Sequence, residues 1–313
     1  MGSIAVIGAG EVRALLDLED LRRALTDALI AIASGSVSAP PRIAALGGDG
    51  LLGAMPACAP GLGLAAKLVT VFPGNGQRGL PSHQAVIVAF DEATGAPLAL
   101  LDGTYITAIR TGMTAAIAAR ALGDGGGSPI AIIGAGVQGA AHLVALRQLF
   151  PASELRIASR DPERAARLAG QDPSAAAIAT LEEAVRGASI VCCCTDARGP
   201  VIDDEWIEAG VHVSSVGSGR ELPPATIGRA EVFVESTVAL QAPPAGAVEL
   251  HGRDPSSVTL LGDVLAGRTS GRSGPSAVTV YKSTGHAAED LAAVAVVLRA
   301  RGARDNGATV NLT

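Results

Sequence analysis

Ile130-Ala131-Ile132-Ile133-Gly134-Ala135-Gly136-Val137-Gln138-Gly139 is the stretch whose reading decides the fold. Four consecutive apolar residues read as a short, fully buried strand. A complete G-x-G-x-x-G follows and opens an Ala/Leu-rich helical pattern over 137–150. Strand, glycine turn and helix in that order are the context in which this spacing carries physical meaning. Gly134 permits the tight turn, Gly136 lets the backbone approach a diphosphate, and Gly139 lets the helix pack close to the sheet. The helix N-terminus, at Val137 and Gln138, offers free N–H groups and a partial positive charge to phosphate oxygens.

Downstream of this stretch, strand-like and helix-like segments alternate. Strands are expected at 155–158, weakly at 176–179, at 189–194, 211–216 and 231–235; helices are expected at 162–169 and 181–186. That alternation predicts an α/β fold with a Rossmann-type, doubly wound parallel sheet. The second strand runs into Ser159-Arg160, and Ser159 stands twenty residues after Gly139, where an NAD site usually places an acid for the ribose 2′-hydroxyl. A hydroxyl followed by a guanidinium suits a 2′-phosphate better. Asp161, one step later, is read as the cap of the helix that begins at Pro162. NADP(H) is therefore the expected cofactor, with NAD(H) as the alternative.

Upstream, Gly123-Asp124-Gly125-Gly126-Gly127-Ser128-Pro129 cannot continue a helix and reads as a seam. Ahead of it, 15–33 carries Leu18, Leu21, Leu25 and Leu29 on one helical face. Runs at 64–71, 84–90 and 96–101 read as an antiparallel sheet, and 104–122 as a helix. A discontinuous α+β domain for substrate binding and dimerisation is thus expected over 1–115, completed by 286–313. A nucleotide-binding domain is expected over 116–285. A second glycine motif, Gly8-Ala9-Gly10, has Arg13 at its third position and no ribose-binding strand after it. It is read as a strand and turn entering a helix.

Composition excludes several classes. Acidic residues outnumber basic ones 30 to 24, so nothing draws the chain to nucleic acid or to an anionic membrane. Aromatic residues are 2% of the chain, too few for base-stacking platforms. No apolar run approaches the ~20 residues of a membrane helix. The N-terminus lacks a basic segment ahead of an apolar core, so no secretion signal is expected. Three of the four cysteines, Cys192, Cys193 and Cys194, are adjacent on one strand and alternate faces. That is neither a disulfide framework nor a metal cage, and a reducing cytoplasm is the expected compartment.

In the first half, Gly63-Leu64-Ala65-Ala66-Lys67-Leu68-Val69, Pro73-Gly74-Asn75, Pro81-Ser82-His83, Phe90-Asp91-Glu92-Ala93-Thr94-Gly95-Ala96-Pro97 and Leu101-Asp102-Gly103-Thr104-Tyr105 through Arg110-Thr111-Gly112 occur in order. Val280-Tyr281-Lys282-Ser283-Thr284-Gly285 with Glu289-Asp290 follows near the C-terminus. This series resembles the ornithine cyclodeaminase/μ-crystallin family over nearly the whole chain. The resemblance implies hydride transfer at the Cα–N bond of a small α-amino or α-imino acid, with NAD(P), in a homodimer. By the same resemblance Arg42 and Arg110 bind the substrate carboxylate and Lys67 contacts the reacting carbon–nitrogen centre. Physical chemistry agrees: arginine grips a carboxylate bidentately, and a fixed cation polarises an imine. Lys67 is also anomalous by itself, a charge in mid-strand among Ala, Leu and Val. Thr111, Cys194, Thr195 and Ser283 are expected near the cofactor. His83 matches a hydroxyl–His pair and is equally a structural histidine.

True cyclodeaminases of that family carry an aspartate in the loop after the fifth nucleotide-domain strand. Here that loop reads Gly217-Ser218-Gly219-Arg220-Glu221-Leu222, with no aspartate. The expected activity is therefore ketimine or pyrroline-carboxylate reduction, or amino-acid dehydrogenation. Cyclodeamination with catalytic NAD, and non-catalytic retention of NADP(H) with a small carboxylate, are the alternatives. No metal is expected.

Overall fold

The computed structural model describes residues 3–123, 129–217, 219–302 and 308–311. The seam residues 124–128 and Ser218 lie outside them. The chain begins with β1 (Ser3–Ile7), α1 (Ala9–Leu15) and α2 (Leu18–Ala33). The single helix expected from residue 15 is two helices, because Asp17 accepts hydrogen bonds from the N–H groups of Glu19 and Asp20 at 2.9 and 3.0 Å and starts α2 as its cap. Strands β2 (Ile43–Gly47), β3 (Gly50–Ala59), β4 (Gly63–Val71), β5 (His83–Phe90) and β6 (Pro97–Asp102) follow, then α3 (Gly103–Leu122).

After the seam come β7 (Ile130–Ile133), α4 (Val137–Leu149), β8 (Leu155–Ala158), α5 (Pro162–Ala169), β9 (Ala175–Ala177), α6 (Leu181–Val185), β10 (Ile190–Cys193) and β11 (His212–Ser215). Next are α7 (Pro224–Arg229), β12 (Glu231–Val234), β13 (Val258–Leu260), α8 (Leu261–Leu265) and β14 (Thr279–Lys282). The chain closes with α9 (Ala287–Gly302) and β15 (Thr309–Asn311).

Two compact units result: Met1–Arg110 with His286–Thr313, and Thr111–Gly285. The first holds a seven-stranded sheet of order β15-β1-β6-β5-β4-β3-β2. Its neighbours are antiparallel except for β1 beside β6. The first glycine motif thus follows an edge-proximal strand of a mixed sheet and enters α1, as the strand-and-turn reading anticipates. Helix α9 packs on α2, β3 and β4. The face of the sheet toward it buries alternate residues, among them Met55, Ala57, Ala65, Lys67, Val69 and Ile87.

The second unit holds an eight-stranded, all-parallel sheet of order β13-β12-β14-β11-β10-β7-β8-β9. Strands β7, β10, β11 and β14 are buried at every position, as a sheet covered on both faces requires. The strand order reverses between β7 and β10. That is the switch point at which sheets of this kind bind ligands, beyond the carboxyl ends of the strands.

Candidate functional site

At the switch point the glycine loop has the geometry its spacing requires. Gly134 has φ +117°, a conformation that L side chains rarely adopt, and a methyl group there would lie 2.9 Å from the Cys194 carbonyl oxygen. A methyl group at Gly139 would lie 2.1 Å from the Gly134 carbonyl oxygen, so only glycine lets α4 approach. Gly136 precedes α4, no side chain caps that helix, and a Cβ on Gly136 would meet nothing within 4 Å. Open space beside uncapped N–H groups at the start of a thirteen-residue helix fits a dinucleotide diphosphate. Val137 and Gln138 are the first two residues of that helix.

Beyond β8, the Ser159 hydroxyl accepts the Asp161 N–H at 3.3 Å, and Asp161 caps α5 by accepting the Arg164 N–H at 3.1 Å. The acid is thereby committed to the helix, while Arg160 is exposed and joins no ion pair among the described residues. Cys194 follows β10; burial pushes its thiol well above the ordinary range, and Sγ donates to the Ile133 carbonyl at 3.3 Å. Such a thiol is a packing group, not a nucleophile. Thr195 donates both its N–H and its hydroxyl to Glu221. Ser283 follows β14, and its hydroxyl accepts the Gly285 N–H at 3.1 Å. Thr111 is buried in α3. Lys282 is fully buried, with its ammonium 2.6 Å from Glu249.

The first unit gathers the second group of candidates. Lys67 points from β4 toward α9 because the strand's alternation turns 65, 67 and 69 inward, and Met55 and Ile87 flank it on the neighbouring strands. Only 3% of Lys67 is exposed. Its ammonium lies 2.6 Å from Asp290 Oδ2, and Arg110 Nε lies 3.0 Å from Asp290 Oδ1. One aspartate thus bridges the two cations. A second Arg110 nitrogen lies 2.5 Å from Glu289. Burial lowers the Lys67 pKa to about 8; Asp290 opposes that shift, and the positive charges of Arg110 and Arg42 add to it. Asp290 is held below the usual carboxylate range: burial would raise it, but Arg110 and Lys67 overcome that cost. His286, just before α9, is pushed down to about 4 by burial, which leaves it neutral at pH 7. Arg42, half-buried, is near enough for its charge to act on both Lys67 and His286.

Lys67, Arg110 and Arg42 therefore share one region, whereas His83 is exposed and bonded to the Ser82 hydroxyl at 3.1 Å. In the sequence Glu289 and Asp290 stand only as part of the family resemblance, with no role assigned to them. The signal was present: two adjacent carboxylates open a helix that is otherwise almost wholly Ala, Val and Leu for ten residues. Acids on an apolar helix are buried only if paired.

A model of the ornithine cyclodeaminase/mu-crystallin family matches residues 4–303. The ketimine reductase mu-crystallin of Mus musculus is 35% identical over 254 residues, spanning 79% of this chain and 80% of the relative. Among solved structures, the Δ1-pyrroline-2-carboxylate reductase of Thermococcus litoralis, in complex with NADH and L-proline, superposes with a TM-score of 0.91 at 26% identity, covering 98% of this chain and 100% of that one. An archaeal alanine dehydrogenase dimer with bound NAD gives 0.88 at 29% identity, with both chains fully covered. The match runs through the glycine loop and the Lys67–Arg110–Asp290 cluster alike, and the chain belongs to the ornithine cyclodeaminase/mu-crystallin family.

Proposed function

We propose that the protein is an NAD(P)H-dependent oxidoreductase that acts at the Cα–N bond of small α-imino or α-amino acids, as a ketimine or pyrroline-carboxylate reductase or an amino-acid dehydrogenase. The observation that carries this reading is the buried Lys67 ammonium, held against Asp290 beside Arg110. Arg42 and Arg110 hold the substrate carboxylate. Lys67 polarises the C=N or C=O bond and stabilises the negative charge that develops on its nitrogen or oxygen. A proton held with a pKa of about 8 is also well placed for transfer near neutral pH. Asp290 touches no substrate in this scheme; it fixes the two cations in register.

The nucleotide would be held by Gly134, Gly136, Val137, Gln138 and Gly139 at the diphosphate, with Thr111, Cys194, Thr195 and Ser283 nearby. When bound, the nicotinamide supplies the hydride. Ser159 and the exposed Arg160 support a preference for NADP(H) over NAD(H), since the acid that follows them, Asp161, is occupied as a helix cap. The solved relatives were seen with NADH and NAD, so both forms belong in the assay.

A homodimer forms part of this reading. The sheet face of the first unit turned away from α9 exposes Leu52, Leu68, Val86, Leu98 and Leu100, each 38–46% accessible. Leu68 and Val86 are directly paired, as are Val88 and Leu100, so the apolar surface is continuous. A second copy presenting the same face would bury it.

Cyclodeamination lacks a base in the described residues of the loop after β11. Glu221 is the only carboxylate there, and both of its oxygens are occupied by Thr195, Ser215 and Gly217. The test is NADPH and NADH oxidation with pyrroline-2-carboxylate and a wider imino-acid panel, beside ornithine without added reductant. Imine-dependent oxidation is expected. Proline and ammonia from ornithine would identify a cyclodeaminase instead. Tight cofactor binding with no turnover on any substrate would identify a binding protein.

A further inference from the structure

Behind the carboxyl ends of three adjacent strands, β10, β11 and β14, lies a buried polar network that the scheme above does not use. Glu221 is fully buried and accepts four hydrogen bonds. Its Oε1 takes the Thr195 N–H at 2.6 Å and the Thr195 hydroxyl at 2.7 Å; its Oε2 takes the Ser215 hydroxyl at 2.7 Å and the Gly217 N–H at 2.8 Å. Lys282, equally buried, donates to Ser215 Oγ at 2.9 Å and to the Gly217 carbonyl at 2.8 Å, and pairs with Glu249 at 2.6 Å. Glu249 in turn accepts the N–H groups of Glu221 and Leu222 at 2.8 and 3.1 Å. Ser215 is the relay: it receives from Lys282 and donates to Glu221.

The network has a location as well as a chemistry. Thr195 follows β10, Gly217 follows β11, and Lys282 is the last residue of β14, next to Ser283. The two loops are also packed hard together: a methyl group on Gly217 would lie 2.6 Å from the Thr195 carbonyl oxygen, and one on Gly219 would lie 2.1 Å from that of Ala197. In a doubly wound sheet each half of a dinucleotide lies over one half of the strands. The diphosphate loop and the Ser159-Arg160 pair occupy the β7–β8 half, which leaves β10, β11 and β14 for the nicotinamide half. Buried ion pairs add little net stability over well-packed apolar groups, so stability is a weak account of this one.

We infer that Glu221 and Lys282 are positioning residues for the nicotinamide half of the cofactor, tying the strand ends that carry Thr195, Gly217 and Ser283 into one rigid rim. The inference rests on the nucleotide-binding role given above to the second unit. Neither residue needs to touch the ring; they fix the loops that do.

Calorimetric titration of the full chain tests it without turnover. NADPH and NADH are compared with 2′-phospho-ADP-ribose and ADP-ribose, which lack only the nicotinamide. Glu221→Gln is expected to weaken the complete dinucleotides by about tenfold or more and the ADP-ribose forms by less than about threefold. Ser215→Ala removes only the relay hydroxyl and is expected to act in the same direction by a smaller factor; it carries the test if Glu221→Gln fails to fold. Equal losses for both ligand classes, or none for either, overturn the inference. Failure of the wild-type chain to bind any of the four ligands would instead overturn the nucleotide-binding role itself.

Discussion

Lys67 on β4 and Asp290 on α9 meet at 2.6 Å in a buried setting, although they come from opposite ends of the chain. The same aspartate holds Arg110 at 3.0 Å through its other oxygen. Burial loosens the Lys67 proton, and this pairing opposes the loosening.

If the ammonium is the active form, kcat/KM falls as pH rises through about 8, the value to which burial lowers Lys67. Asp290 is the group that opposes the lowering; Arg110 and Arg42 promote it, His286 is neutral, and Glu289 acts through Arg110. Removing the negative charge in Asp290→Asn therefore moves the alkaline limb to lower pH, by about one to three units. A uniform loss at every pH, with the limb unmoved, would show that Asp290 only supports packing.

Glu289 is buried against Arg110 at 2.5 Å. Taking away the Glu289 charge leaves Arg110 with Asp290, which it shares with Lys67, and the cost is at most about 3–5 kcal/mol, that of breaking a buried pair outright. Glu289→Gln should lower the urea midpoint of unfolding accordingly. A change under about 1 kcal/mol would place this pair with ordinary exposed bridges.

The glycine loop separates packing from binding. Gly139→Ala drives a methyl group into the Gly134 carbonyl oxygen and should lower the melting temperature. Gly136→Ala meets nothing within 4 Å and has an ordinary φ of −93°, so its melting temperature should hold. The added methyl nevertheless stands on the approach proposed for the diphosphate, and dinucleotide Kd should rise by about tenfold or more. Unchanged affinity in Gly136→Ala would remove the diphosphate from this loop.

The proposed preference for NADP(H) rests on Arg160. Arg160→Ala should reduce kcat/KM for NADPH by about tenfold or more and leave NADH nearly unchanged, because a guanidinium–phosphate contact is lost only with the phosphorylated ribose. A wild-type preference for NADH would contradict the assignment.

Light scattering on the wild-type chain should report two copies, and Leu68→Glu with Leu100→Glu should report one, since both side chains lie on the exposed sheet face. A monomeric wild type would contradict the shared face.

Much of the fold is legible in the sequence. The all-apolar strand at 130–133 and the glycine spacing after it mark the parallel-sheet unit, because parallel strands buried on both faces read as unbroken aliphatic runs. The strands at 64–71, 84–90 and 96–101 are legible as apolar runs bounded by turn residues; which face is buried is not, because the outward face also carries Leu68, Val86, Leu98 and Leu100. The β2–β3 hairpin was not: Ile43 and Leu46 are 71% and 83% exposed, so the apolar run reflects no burial in the monomer. Short elements such as β13, α8 and β15 span three to five residues and carry too little pattern to read. Lys67 stood out as a charge within an apolar strand. Its partner did not, because pairing across the whole chain leaves no mark in local spacing.

The most direct measurement uses nicotinamide cofactor deuterated at C4 with pyrroline-2-carboxylate as substrate, followed by analysis of the proline formed. Deuterium is expected at Cα of proline with the wild-type chain, and turnover is expected to fall by about a hundredfold or more in Lys67→Met. Proline without label at Cα, or a Lys67→Met variant that turns over like the wild type, would contradict the proposed function.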